Sequence, residues 1–326
     1  MKTKPQLSVS ACHSIGKAVC AVAALQLLAT TINSQAQYNY TTLSVPGATE
    51  TWATGISGND IVGYYNGSTG TQGFLYNGSS YTTLSVPGAV ATWAQGISGN
   101  EIVGYYNTSS ATRGFLYDGS SYTTLSVPGV PDTQAFGISD GYIVGSYNNG
   151  SGYSATRGFL YNGSSYSTLS VPGAGTTWAQ GVSDGYVVGY YYTGSSFAGF
   201  VNHFSNYGSY DTLSVPGALQ TFAEGISGNE IVGYYDAGNG NVYVNGFVYD
   251  GSSFTALSVP GAPRYTYAQG ISGNEIVGYY VDSAGNTQGF LATPVPEPSA
   301  LVLMAVGVIA LVVIRRGQRN LKKSFT

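Results

Sequence analysis

Three sets of side chains in this chain have the types for chemistry. The first is a single histidine, because His13 falls within an N-terminal leader and only His203 lies beyond it. A Ser/His/Asp relay would depend on that residue alone. It stands in "VNHFSN", where sister segments read "LYNGSS", and this reads as a turn residue, not a catalytic base. The second set is the carboxylates Glu50, Asp132, Asp236 and Asp282. A pair of these could supply general acid and base to glycoside hydrolysis, but nothing in the sequence fixes their separation. Acidic turns such as Asn59-Asp60 and Asp184-Gly185 follow ordinary turn preference, and none matches a twelve-residue calcium loop. No catalytic residue, metal or cofactor is assigned.

The third set is aromatic. Trp52, Trp93, Trp178, Phe222 and Tyr267 occupy one recurring position, with Gln134 or Ala135 breaking the series. Such rings could stack on sugars while neighbouring Asp, Asn and Tyr bond hydroxyls. The regular recurrence favours packing between adjacent repeats instead. Arg113, Arg157 and Arg264 are the only basic residues of the central region. Being unrepeated, they are better marks of specificity, although solvated surface arginines would look the same. Together Trp52, Trp93, Trp178, Arg113, Arg157 and Arg264 form the candidate ligand face.

The elements that must position these residues come from a repeat. "LSVPG" begins at Leu43, Leu84, Leu125, Leu169, Leu213 and Leu257, giving periods of 41, 41, 44, 44 and 44 residues. Each unit reads as "YTTLSVPGA", "TWAQGISGNE", "IVGYY", a variable loop and "GFLYNGSS". In "YTTLSV" the apolar residues alternate with polar ones, the period of a half-buried strand. "EIVGYY" and "RGFLY" are short β-branched and aromatic runs. "GISGNE" and "YNGSS" carry hairpin-turn chemistry, and the recurring proline ends a strand. Four strands in each of six units predict an all-β, six-bladed β-propeller.

The phase of the repeat predicts closure. With blades running outward from "GIS" through "IVGYY" and "GFLY" to "YTTLSV", the last unit ends at Ala292 without its outer strand. Residues 38–47, "YNYTTLSVPG", are a spare outer strand that would close the ring and remove an exposed edge. Loops after "VPG" and after "IVGYY" differ in every unit, whereas the two hairpins hardly change. The variable loops fall together on one face of the disc, where binding usually resides. The order "GIS…IVGYY…GFLY…L…PG" over residues 37–292 resembles the HAF family of extracellular repeats, departing from it by lacking the His-Ala-Phe tripeptide and having Gly-Phe in its place. That resemblance implies a surface or secreted protein and no settled activity.

Charge narrows the function further. Only 8% of residues are charged, about a third of the usual share. The middle of the chain carries three arginines against fourteen carboxylates, a net charge of minus 11, which excludes nucleic-acid binding. Residues 1–36 combine a basic start, an apolar stretch from Ala18 to Thr31, and Ser34 and Ala36 at signal-peptidase spacing. Both cysteines, Cys12 and Cys20, leave with this predicted signal peptide.

Residues 294–326 hold Pro296, Glu297 and Pro298, an apolar run over 300–314, and the cations Arg315, Arg316, Arg319, Lys322 and Lys323. The run predicts a short single transmembrane helix of roughly 22 Å, less than a hydrocarbon core of about 30 Å, with Arg315, Arg316 and Arg319 kept cytoplasmic. This ordered triplet resembles the PEP-CTERM sorting signal of Gram-negative bacteria. The resemblance implies export, a transient stay in the inner membrane, and cutting by an exosortase that recognises Pro296, Glu297 and Pro298. The expected organisation is a signal peptide (1–36), a propeller ectodomain (37–293) and a sorting signal (294–326). The expected function is a non-catalytic surface or extracellular-matrix component associated with exopolysaccharide and biofilm. A secreted hydrolase on the same scaffold and a purely structural surface protein are the alternatives.

Overall fold

The structure is a computed structural model that describes residues 38–148, 150, 156–204, 208–238, 243–262 and 264–295. Among these residues the chain forms twenty-four strands, numbered in chain order, in six antiparallel four-stranded sheets. In blade 1, β2 (Glu50–Ser57), β3 (Asp60–Gly67), β4 (Gly70–Tyr76) and β5 (Tyr81–Leu84) lie side by side in sequence order. The remaining blades repeat this order outward from the "GIS" strand.

Turn chemistry explains the hairpins. Gly58 takes the left-handed conformation, φ 56°, that the Ser-Gly-Asn turn between β2 and β3 needs. In the second hairpin Asn77 Oδ1 accepts the amides of Ser79 and Ser80 at 3.0 and 2.9 Å. Asp118 and Asp250 do the same in blades 2 and 5. The Ser120 and Ser252 hydroxyls, and then the backbone amides, hold these two carboxyls below the usual carboxylate range.

The ring is closed. β1 (Tyr38–Leu43) pairs with β24 (Thr287–Pro294) from Tyr38↔Pro294 through Leu43↔Gly289, so the spare N-terminal strand completes blade 6. The inner strands neighbour one another all the way round, with β2 beside β22 (Thr266–Ser272).

Hydrophobic cores sit between blades. Phe74, Phe115, Phe159, Phe200, Phe247 and Phe290 are each fully buried. Phe74 packs with Leu43, Val45, Ala53 and Ile61 and also with Val277 of blade 6. A Cβ on Gly63 would stand 1.9 Å from the Trp52 carbonyl oxygen and 2.8 Å from the Phe74 ring. The glycine of every "IVG" segment is thus demanded by close approach.

A threonine joins each blade to the next. Val86, just beyond β5, donates its amide at 3.1 Å to Oγ1 of Thr92 in the inner strand of blade 2. Thr51, Thr133, Thr177, Thr221 and Thr266 repeat the bond at 3.0 to 3.2 Å. Thr92→Val keeps the shape and removes the acceptor, which leaves a buried amide unsatisfied. The expected cost is about 1–3 kcal/mol, read as a lower thermal midpoint, while Thr92→Ser retains most of the stability. Equal midpoints for wild type and Thr92→Val would contradict this role.

The expected signal peptide, the apolar run 300–314, Pro296, Glu297, Pro298 and the terminal arginines lie outside the described residues. Among the described residues no helix is long and apolar enough to cross a membrane.

Candidate functional site

Strand direction assigns each connection to a face. The loops that enter the inner strands and those joining second to third strands share one face, and the two constant hairpins share the other. The loops that differ in every unit therefore share one face, while the hairpin face departs from its pattern after His203 in blade 4.

The recurring aromatic position does its work inside the ring. Trp52 stacks on its cross-strand partner Tyr64, with centroids 4.8 Å apart and planes at 16°. Trp93–Tyr105, Trp178–Tyr190, Phe222–Tyr234 and Tyr267–Tyr279 repeat the pair at 5.0, 5.2, 4.7 and 4.6 Å. Two of the tyrosines also reach the following blade edge-on, Tyr190 to Phe222 at 5.0 Å and Tyr234 to Tyr267 at 4.9 Å. Burial pushes the Tyr105 phenol up to about 12 and raises Tyr64, Tyr190, Tyr234 and Tyr279 as well.

Blade 3 breaks the pattern on both strands. In β10 (Asp132–Ser139) and β11 (Tyr142–Asn148), Gln134 pairs with Ser146 where the other blades set two rings. Gln134 is thus the interruption, and Ala135 is a fully buried core residue. Phe136, two residues on, meets Tyr105 of blade 2 edge-on at 6.2 Å. What remains is a cavity of about 320 Å³ on the loop face, lined by Trp178, Asp132, Gln134, Ser146, Asn148 and Thr156 among others. One Asp132 oxygen accepts the Thr112 amide at 2.9 Å, which fixes the carboxylate at the rim.

Arg113 and Arg157 are not the unrepeated marks of specificity expected. Arg113 and Arg157 occupy the same place in consecutive "TRGFLY" strands, so they are repeated. Arg113 donates to the Pro131 carbonyl and Arg157 to the Gly175 carbonyl, the latter at 2.7 Å. Each pins the loop that enters the next blade. Arg264 lies exposed in the loop before β22, where its carbonyl accepts the Val244 amide at 3.0 Å.

The other candidates are dispersed. Glu50 accepts from Asn66 Nδ2 at 2.9 Å and Thr287 Oγ1 at 3.3 Å. Asp236 accepts the Gly238 amide at 3.0 Å, and Asp282 the Ala284 and Asn286 amides at 2.9 Å. His203 is the last residue of its strand, one step before the turn, with its ring edge-on to Tyr186 at 4.6 Å. It belongs to the constant face. No three His, Cys, Asp or Glu side chains among the described residues come together as a metal site.

The axis holds a residue that the period of two hides. Every inner strand carries a β-bulge between its alanine and glycine, as at Ala53/Gly55 and Ala223/Gly225. The extra residues are Thr54, Gln95, Phe136, Gln180, Glu224 and Gln269, and all six line a narrow axial channel of about 80 Å³. A Cβ on Gly55 would lie 2.7 Å from the Gln95 carbonyl oxygen, and each blade repeats this approach to the next until Gly270 meets Thr54. Glu224 is 9% exposed, and burial pushes its carboxyl up to about 8.

Six four-stranded blades, closed by an N-terminal strand and diversified on one face, define a six-bladed β-propeller. At the C-terminal end of the chain, the PEP-CTERM protein-sorting motif is found at residues 294–317. That motif implies export to the surface of a Gram-negative bacterium and processing by an exosortase. No curated protein matches the chain in sequence. Among solved structures, TolB from Acinetobacter baumannii is similar with a TM-score of 0.51 and 15% identity, over 76% of this chain and 65% of TolB. The β-propeller domain of the Trilobed protease from Pyrococcus furiosus gives 0.46 and 7%, over 77% of this chain and 99% of that one. An acylaminoacyl peptidase from Pyrococcus horikoshii gives 0.46 and 9%, over 78% of this chain and 54% of the peptidase. The TolB likeness bears on the fold alone.

Proposed function

We propose that this chain is a non-catalytic surface or matrix propeller that binds exopolysaccharide after a signal peptidase and an exosortase have processed it. The observation that carries the reading is the division of the disc. One face carries near-constant hairpins, broken only after His203 in blade 4 and at the β1–β24 closure of blade 6, and the other bears the loops that differ in every unit and the cavity. Such a division suits a scaffold that presents a binding surface, and the sorting motif delivers that surface to where exopolysaccharide lies. The likeness of the repeats to the HAF family accords with an extracellular setting. The 300–314 run would hold the chain in the inner membrane only until it is cut. A non-catalytic role fits the candidate carboxylates, which sit in different blades and are bonded within their own loops or to an adjoining strand. His203 lies on the opposite face from the cavity.

The test is equilibrium binding of the protein purified from its host to neutral and acidic bacterial exopolysaccharides, with assay of new reducing ends. Saturable binding without new ends is expected. Chain shortening would assign the protein to the hydrolases, and absence of binding to every polymer would leave a structural surface protein.

A further inference from the structure

We propose that the blade 3 cavity is a subsite for one neutral pyranose ring, with Trp178 as its stacking platform. The inference rests on the exopolysaccharide-binding reading and narrows it to one place and one ligand chemistry. Five blades fill this position with a stacked aromatic pair, and blade 3 loses both rings at once by having Gln134 and Ser146. The loss is felt in blade 4. Phe222 and Tyr267 each receive the edge of the preceding blade's tyrosine, whereas the equivalent neighbour of Trp178 is Ser146, and Trp178 lines the cavity. Its ring remains stacked on Tyr190 at 5.2 Å and packed against Phe197 at 5.8 Å, so the platform is held firmly in place.

The polar lining matches a sugar's hydroxyls. Asp132 accepts, Gln134 can both donate and accept, and Ser146 and Thr156 add hydroxyls, all beside an indole, while the Asn148 amide oxygen at the rim accepts the Gly150 amide at 2.8 Å. An aromatic face rimmed by such groups takes the apolar C–H face of a pyranose while its edge hydroxyls are bonded. A volume of about 320 Å³ lies at the low end of the ~300–1,000 Å³ usual for small-molecule sites. It suits one ring, not an extended chain segment. Asp132 is the one charged residue among those lining the cavity and disfavours a uronate against it, while the nearby guanidiniums of Arg113 and Arg157 are engaged by the Pro131 and Gly175 carbonyls.

Refilling the cavity tests the site. Gln134→Trp with Ser146→Tyr restores what the other blades carry, and the double variant is expected to fold with an unchanged or higher thermal midpoint. Trp178→Ala supplies an independent variant should the refilled one fail to fold. The probes are a neutral exopolysaccharide that the wild-type protein binds and the methyl hexopyranoside of its repeating unit, followed by tryptophan fluorescence. Expected are one saturable site per chain and at least tenfold weaker binding in both variants. Wild-type binding that persists in the refilled and Trp178→Ala proteins would overturn the subsite and leave the wider reading standing. Several equivalent sites per chain would also overturn it. A wild-type protein that binds no polysaccharide would remove both.

Discussion

Glu224→Gln is expected to stabilise the propeller, and increasingly so as pH rises. Burial in the axial channel pushes the Glu224 carboxyl from its ordinary 4.5 up to about 8. Below pH 4.5 the folded and unfolded chains both hold the proton, and the group does not affect stability. From there upward the unfolded chain ionises while the folded one keeps its proton, so the native state loses about 1.4 kcal/mol per pH unit. The loss levels off above pH 8 at a total on the order of 5 kcal/mol. The phenols that face the carboxyl, Tyr190, Tyr234 and Tyr279, are themselves raised by burial and by the acid and stay neutral across this range. Glutamine is already accommodated at the same position in blades 2, 4 and 6, as Gln95, Gln180 and Gln269. Thermal midpoints of wild type and Glu224→Gln should therefore nearly coincide at pH 4.5 and separate by pH 8.5. Parallel pH profiles would show that the carboxyl is solvated.

Gly104→Ala is expected to prevent folding. A Cβ there would stand 2.0 Å from the Trp93 carbonyl oxygen and 2.9 Å from the Phe115 ring. Neither neighbour can yield, because the first is backbone in the paired strand and the second fills the core between blades 1 and 2. Overpacking of a well-filled core costs about 1–3 kcal/mol or more, and a backbone collision belongs at the severe end, above about 4 kcal/mol. Gly175→Ala is the control. Its Cβ would meet nothing nearer than Tyr192 at 3.9 Å, and a change within about 0.5 kcal/mol is expected, as for surface substitutions generally. Circular dichroism and soluble yield would decide; a folded Gly104→Ala protein of wild-type midpoint would contradict the packing described.

These two positions also show where sequence reading succeeds and where it stops. The blades were legible because each strand carries its own signal, from the alternation of "YTTL" to the Asn-Gly of "YNGSS". The order of strands within a blade, and the closure of β1 on β24, follow from the phase of the repeat alone. Glu224 was not legible, since the bulge between Ala223 and Gly225 shifts the alternation and turns an apparently ordinary strand residue to the axis. The cavity was half legible. The missing aromatic at 134 or 135 was visible in one strand, but its consequence needs the register that sets Gln134 opposite Ser146. The signal for the second half was "IVGSY" in place of "IVGYY". Arg113 and Arg157 were misread because they stand 29 and 32 residues after the preceding "LSVPG", although both stand 12 residues before the next one, at the same place in "TRGFLY". Their partners are carbonyls 18 residues ahead, which no local pattern announces.

The most direct test of a saccharide-binding propeller is a crystal structure of the protein purified from its host in complex with a neutral oligosaccharide derived from a polymer it binds. One pyranose ring stacked on Trp178, with hydroxyls bonded to Asp132 and Gln134 and the glycosidic bonds intact, is the predicted result. An oligosaccharide ordered elsewhere on the disc, or cleaved in the crystal, would contradict it.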